Sequence, residues 1–245
     1  MNVREIVDQN LEKGYDVEFD KTFEKTWQTF KQNMGNIIGF TIVCCISSLF
    51  VFGLFLGPLL ILGFSTYSYE YKKSGHAQFS DFFKPLNKFG SLLFLSILFF
   101  AVNILVSLPT LLNTIPIYIT YIQSFGDKDA LNEMLKSLDE VSSFSSFYST
   151  IVQFLISVLT FYAPYLVYYG DYGVMEAILT SFKLVSKKMG ILITILFIAT
   201  LIKFSGIILC CIGVVFTFPF IYCLYHEIFD QTILSKSNKS SYLSL

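Results

Sequence analysis

Two histidines (His76 and His226), five cysteines and the serine of GFSTY, Gly63 to Tyr67, are the residues whose types could do chemistry. An iron oxygenase or zinc hydrolase needs several imidazole or carboxylate ligands facing one another. Two isolated histidines with no HExxH pair do not supply them. A serine hydrolase needs a nucleophile elbow, and GFSTY lacks its second glycine. Phosphate-loop and dinucleotide glycine patterns are missing too. The cysteines Cys44, Cys45, Cys210, Cys211 and Cys223 match neither a zinc spacing nor a disulfide framework. Their vicinal pairs read as small apolar helix-packing residues rather than a redox couple. The expectation is a chain with no catalytic residue, cofactor or metal.

The elements that would hold any site are set by composition. Hydrophobic residues make up 54% of the chain and charged residues 14%, against about 25% charged in a typical soluble domain. Mean hydropathy is +0.62, so the surroundings of most side chains are lipid. A net charge of −1 leaves no basic stripe to neutralise a phosphate backbone, which excludes nucleic acid as a partner. No removable targeting segment is expected, because the first 34 residues lack a basic start and an apolar middle.

Uncharged runs locate the spans. Gln32 to Tyr69 carries no formal charge and exceeds the roughly 20 residues that one membrane helix uses. Two helices, 35–53 and 57–72, fit if the chain turns near Gly53 to Pro58. In the next run, Pro109, Asn113 and Pro116 end a third span at 90–110. Residues 111–145 then form an extracytoplasmic insertion, an apolar part on the membrane surface followed by a short acidic helix. A fourth span, 146–168, ends in tyrosines at the interface. The fifth and sixth occupy 189–205 and 207–227. Lysines and arginines concentrate before span one, between spans two and three, between four and five, and after six, so the positive-inside rule puts both termini in the cytoplasm. That leaves 1–34 as a cytoplasmic segment, 35–228 as the membrane domain and 229–245 as a cytoplasmic tail.

One short pattern recurs. TWQTFKQNMG (Thr26 to Gly35) and SFKLVSKKMG (Ser181 to Gly190) each place an aromatic residue seven positions before an apolar residue and glycine, and Phe82 to Gly90 keeps the same rhythm. Phe19, Phe23, Trp27, Phe30 and Met34 make one apolar helical stripe. Met175, Ile178, Phe182, Val185 and Met189 make another. Each reads as an amphipathic helix lying in the interface, with the glycine bending the chain into the following span. The fold class is therefore an all-α polytopic bundle, with six spans as three hairpins, each preceded by an interfacial helix, in an internal repeat.

These elements, the hairpin FGLFLGPLLILG and the final span IILCCIGVVFTFPFIYCLYHE resemble bacterial six-span inner-membrane proteins of unknown function. That family is similar to the membrane domain attached to some glycerophosphodiester phosphodiesterases. The resemblance implies an inner-membrane location and offers no catalytic residues to carry over, and the phosphodiesterase catalytic domain is not represented in this sequence.

Candidate contacts for lipid or a partner are the elbow aromatics Trp27, Phe82 and Phe182, together with Tyr162 and Tyr165. Those two tyrosines share a helical face next to Pro164 and form either an aromatic belt or a groove. Lys203, the exception in spans that hold almost no ionisable residues, sits near the outer end of span five and either snorkels to the interface or meets an ion or headgroup. Asn103 and Gln153 are positioned to hydrogen-bond across the second hairpin. The expected function is a non-enzymatic scaffold, accessory or lipid-organising protein in contact with membrane lipids, a membrane protein partner or a second copy. The alternative is a transporter or lipid-handling permease.

Overall fold

The computed structural model describes residues 2–48, 57–123, 128–208 and 210–235. The expected turn at Gly53 and the distal tail from 236 onward lie outside them, as do the side chains of Cys210 and Cys211. Every regular element among the described residues is helical: α1 Val3–Lys13, α2 Phe19–Gln32, α3 Met34–Ser48, α4 Gly57–Ser74, a 3₁₀ helix Phe79–Lys88, α5 Phe89–Gln123, α6 Lys128–Leu159, α7 Ala163–Tyr169, α8 Val174–Lys187, α9 Met189–Ile208, α10 Cys210–Phe229 and a π turn Asp230–Leu234. Three stretches are long and apolar enough to cross a membrane: Phe79–Gln123, Phe147–Tyr169 and Met189–Ile208. The chain divides into two compact units, Met1–Ser96 with Val158–Leu245, and Ile97–Ser157.

In the larger unit α4 is the central helix, buried from Leu62 through Ser68. The 3₁₀ helix lies directly on it. A Cβ at Gly63 would come within 2.8 Å of the Phe82 carbonyl oxygen and 2.9 Å of the Phe40 ring, so only glycine permits this approach. Phe82 stacks between Phe40 and Tyr67, with both centroid distances 4.2 Å. Helix α10 packs on α9, α4 and α2. Its close contact with α9 passes over Gly206, where a side chain would collide with Thr217.

The chain bends just before Met34 and Met189. The chain breaks at Asn33 (φ −119°, ψ 17°) and at Lys188 (φ −137°, ψ 40°), not at the glycines that follow. In both, the hinge N–H donates three residues back, Asn33 to the Phe30 carbonyl at 3.3 Å and Lys188 to the Val185 carbonyl at 3.1 Å. Both hinge carbonyls then accept from the first turn of the next helix, from Ile37 N–H at 3.1 Å and Leu192 N–H at 3.3 Å. Between the 3₁₀ helix and α5 the chain passes through Phe89 with an ordinary helical backbone (φ −49°, ψ −46°).

Burial follows the same register. Thr22, Thr26, Thr29 and Phe30 are the buried face of α2, and Ala177, Ser181, Leu184 and Val185, at the corresponding positions, are that of α8. Beyond each elbow the buried residues are Ile37, Phe40 and Thr41, then Leu92, Leu95 and Ser96, then Leu192, Ile195 and Leu196. Threonine, serine and alanine face inward because their small side chains let helices approach, and a hydroxyl can bond its own helix. Thr26 and Thr22 donate to the carbonyls four residues earlier, each at 2.7 Å. Trp27 (54% exposed), Met175, Leu179 and Phe182 are left outward.

Three expected boundaries differ. Helix α5 does not end at 110 but continues through Pro109 and Pro116 to Gln123, so 111–123 is helix. Where no water competes for a freed carbonyl, keeping the helix costs less than baring a turn of backbone. The stretch expected as a fourth span is interrupted after Leu159, and the chain turns through Tyr162 into α7, whose second residue is Pro164. Ser181 of α8 mends this break, donating to the Leu159 carbonyl at 2.8 Å and accepting from the Tyr162 N–H at 3.0 Å. Finally, the start of the expected tail is core. Asp230, Thr232, Ile233 and Leu234 are buried, because Thr232 and Ile233 extend the face of Ile228 and Phe229 by one turn.

Helix α1 closes this end of the unit. Asn10 donates to the Thr232 carbonyl at 2.8 Å, and Tyr15 OH to the Leu184 carbonyl at 3.0 Å. Arg4 reaches the carbonyls of Gly170 and Asp171 and pairs with Glu176 at 3.0 Å, holding the turn between α7 and α8.

Candidate functional site

Among the described residues, the buried histidine, glutamate and aspartate of the larger unit gather at the C-terminal end of α10. His226 and Glu227 are both 1% exposed, and Asp230 is also buried. Glu227 and Asp230 are three residues apart and share a helical face. Lys72, from the last turn of α4, reaches both carboxylates: it pairs with Glu227 and lies 3.1 Å from Asp230. Lys25 of α2 stands 3.6 Å from the second Glu227 oxygen, which makes no hydrogen bond. Two cations thus face two anions, joining α2, α4 and α10 at one point. The π turn begins at Asp230, with the Ser235 N–H donating to the Asp230 carbonyl. Single π turns of this kind are frequent at functional sites.

His226 belongs to a second, uncharged chain. Its Nδ1 is 2.8 Å from Ser65 Oγ, and Ser65 Oγ is 3.1 Å from Tyr169 OH. Three helices, α10, α4 and α7, are linked by these bonds. His226 Nε2 is buried and makes no hydrogen bond. Ser65 is the serine of GFSTY, and its partner is a histidine. The pair still lacks the group that orients a catalytic imidazole, and Ser65 is fully buried. What the geometry supports is a buried hydrogen-bonded relay beside a charge cluster. Among the described residues, no three His, Cys, Asp or Glu side chains converge as metal ligands.

The residues singled out from sequence are distributed otherwise. Trp27 and Phe182 are outward, at 54% and 52% exposure. Trp27 lies against Phe30 and Phe220. Phe82 is not outward; it is core, because the 3₁₀ helix turns Phe79, Phe83 and Leu86 outward in its place. Tyr162 and Tyr165 are likewise buried rather than presented to lipid. The break before α7 folds them against α10, where Tyr165 stacks on Phe229 at 4.5 Å. Tyr162 OH lies 3.1 Å from Thr232 Oγ1 and 3.5 Å from Tyr15 OH. Burial pushes the Tyr15 phenol up to about 12. Lys203 is exposed, with Nζ 5.0 Å from the centre of the Phe218 ring.

In the smaller unit, Asn103 and Gln153 do not bond to each other. Asn103 donates to the Phe99 carbonyl of its own helix at 2.8 Å. Gln153 donates across to Ser107 Oγ at 3.2 Å, one turn further along α5, with Thr110 and Ser149 paired at 3.1 Å beside them.

Sequence reasoning missed the Lys72 cluster and the Ser65–His226 pair. A partial signal existed in YHEIFD, where His226, Glu227 and Asp230 follow an apolar span with almost no gap. Nothing along the chain pairs position 226 with 65. No family model, curated protein or solved structure matches this chain.

Proposed function

We propose that this chain is a six-span protein of the bacterial inner membrane, with both termini cytoplasmic. It is built from three repeats of an interfacial helix and a hairpin, and serves as a non-enzymatic scaffold or lipid-organising protein. The supporting observation is the inverted packing of the elbow helices. Thr22, Thr26, Ala177 and Ser181 are buried on α2 and α8 beside Phe30, Leu184 and Val185, while Trp27, Phe79, Phe83, Leu86, Met175, Leu179 and Phe182 remain outward. In water such a surface favours association. In the headgroup region of a bilayer it is an anchor. The shared burial register of the three elbows supports a duplication, and the six-span resemblance points the same way.

Trp27 is the only tryptophan, so its fluorescence reports one site. The protein is reconstituted into bilayers carrying bromine at different depths along the acyl chains. Quenching strongest from shallow bromines is the expected result. Absence of quenching at every depth would defeat the reading.

The buried Ser65–His226 relay beside the Lys72 cluster favours a second reading, a transporter or lipid-handling permease, since buried polar groups in membrane proteins often mark transport paths. Solute or lipid movement in reconstituted vesicles that is lost on His226→Ala would select it over the first.

A further inference from the structure

The two best-matched elbow helices, α2 and α8, bury equivalent residues but present different outward faces. On α2 the exposed positions one and two turns before Trp27 hold Asp20 and Glu24 in place of apolar side chains. On α8 the corresponding positions are Met175 and Leu179, at 59% and 62% exposure, beside Phe182. Lys183 and Lys187 then follow Leu179 at four-residue steps and are exposed along the same edge. The one acid on α8, Glu176, is held by Arg4 through two hydrogen bonds, at 3.0 and 3.3 Å. Neither Lys183 nor Lys187 has an ion-pair partner among the described residues. Lys188, which does, turns the other way to Asp16 at 2.8 Å.

We propose that the Met175–Leu179–Phe182 face of α8, edged by Lys183 and Lys187, is a docking surface for anionic phospholipid headgroups. The proposal rests on the membrane reading above and names the lipid class. The apolar trio enters the acyl boundary while the two ammonium groups, on stems long enough to snorkel, meet headgroup phosphates that carry net negative charge. Charge complementarity selects this occupant. A zwitterionic headgroup offers each ammonium a neighbouring cation, and α2, with Asp20 and Glu24 on its outward side, lacks the preference. A surface lysine at an anionic bilayer contributes about a fivefold gain in affinity, so two give roughly twentyfold to thirtyfold.

The full chain in detergent is mixed with equimolar phosphatidylglycerol and phosphatidylcholine, and bound lipids are counted by native mass spectrometry. The wild type is expected to retain phosphatidylglycerol over phosphatidylcholine by tenfold or more. Lys183→Gln with Lys187→Gln removes most of this preference, and Lys31→Gln on α2 leaves it in place. Equal retention of both lipids by the wild type, or an unchanged preference in the double variant, overturns the proposal. A loss of preference as large in Lys31→Gln also overturns it, because binding would then follow overall charge rather than α8. Bromine quenching of Trp27 is independent of these lysines. Quenching without lipid preference therefore rejects only the proposal, whereas no quenching rejects the membrane-surface reading itself.

Discussion

Replacing Lys72 with methionine is the most informative perturbation of the charge cluster. The ammonium pairs with Glu227, whose side chain is 2% exposed, and with Asp230 at 12%. After the change, Glu227 keeps only Lys25, half-exposed and 3.6 Å away, and Asp230 keeps no cation among the described residues. Breaking a buried pair from one side costs about 3–5 kcal/mol, since a desolvated charge is left without compensation. One carboxylate stripped of its cation and another left with a half-exposed one place Lys72→Met within that range. Glu227→Gln should cost less, about 1–2 kcal/mol, because Lys72 retains Asp230. At about 2–4 °C per kcal/mol for a chain of this size, Lys72→Met lowers the melting temperature by roughly 6–20 °C. Trp27 fluorescence in detergent follows it directly, since α2 packs on α10. The triple variant Lys72→Met, Glu227→Gln, Asp230→Asn removes every charge that Lys72 joins and should recover most of the loss. A Lys72→Met protein melting within about 2 °C of wild type would refute the assigned role of the cluster. So would a triple variant no more stable than the single one.

Two other outcomes are expected. Gly63→Ala should destabilise by about 1–3 kcal/mol, because the new methyl meets the Phe82 carbonyl and the Phe40 ring; an unchanged melting temperature would mean the 3₁₀ helix is not seated as described. Burial raises the Tyr15 phenol from 10.0 to about 12, so its neutral form stabilises the fold. That contribution is complete below pH 10 and is lost as pH rises from 10 to 12, amounting to about 3 kcal/mol. Tyr15→Phe should flatten the stability profile across that window, and an identical slope in the variant would contradict the assignment.

The sequence by itself determined the helical class. Uncharged runs longer than a membrane helix require lipid as solvent, and a helical period fixes which residues share a face. That is why the breaks before Met34 and Met189 were legible to within a residue or two. Which face turns inward was not legible. Between two helices in lipid there is little hydrophobic contrast to read, and close approach selects small residues instead. So Thr22, Thr26 and Ser181 became core while Trp27 and Phe182 stayed outside. The same physics hid the candidate site. Glu227 and Asp230 lie one turn apart and could be paired by eye, but Lys72 and Ser65 come from a different helix, and Tyr169 reaches Ser65 only because the chain breaks before Pro164. Contacts between residues distant along the chain depend on how α4, α7 and α10 pack around one another. Only the tertiary structure decides that, because periodicity specifies a face within one helix and carries no information about its neighbour.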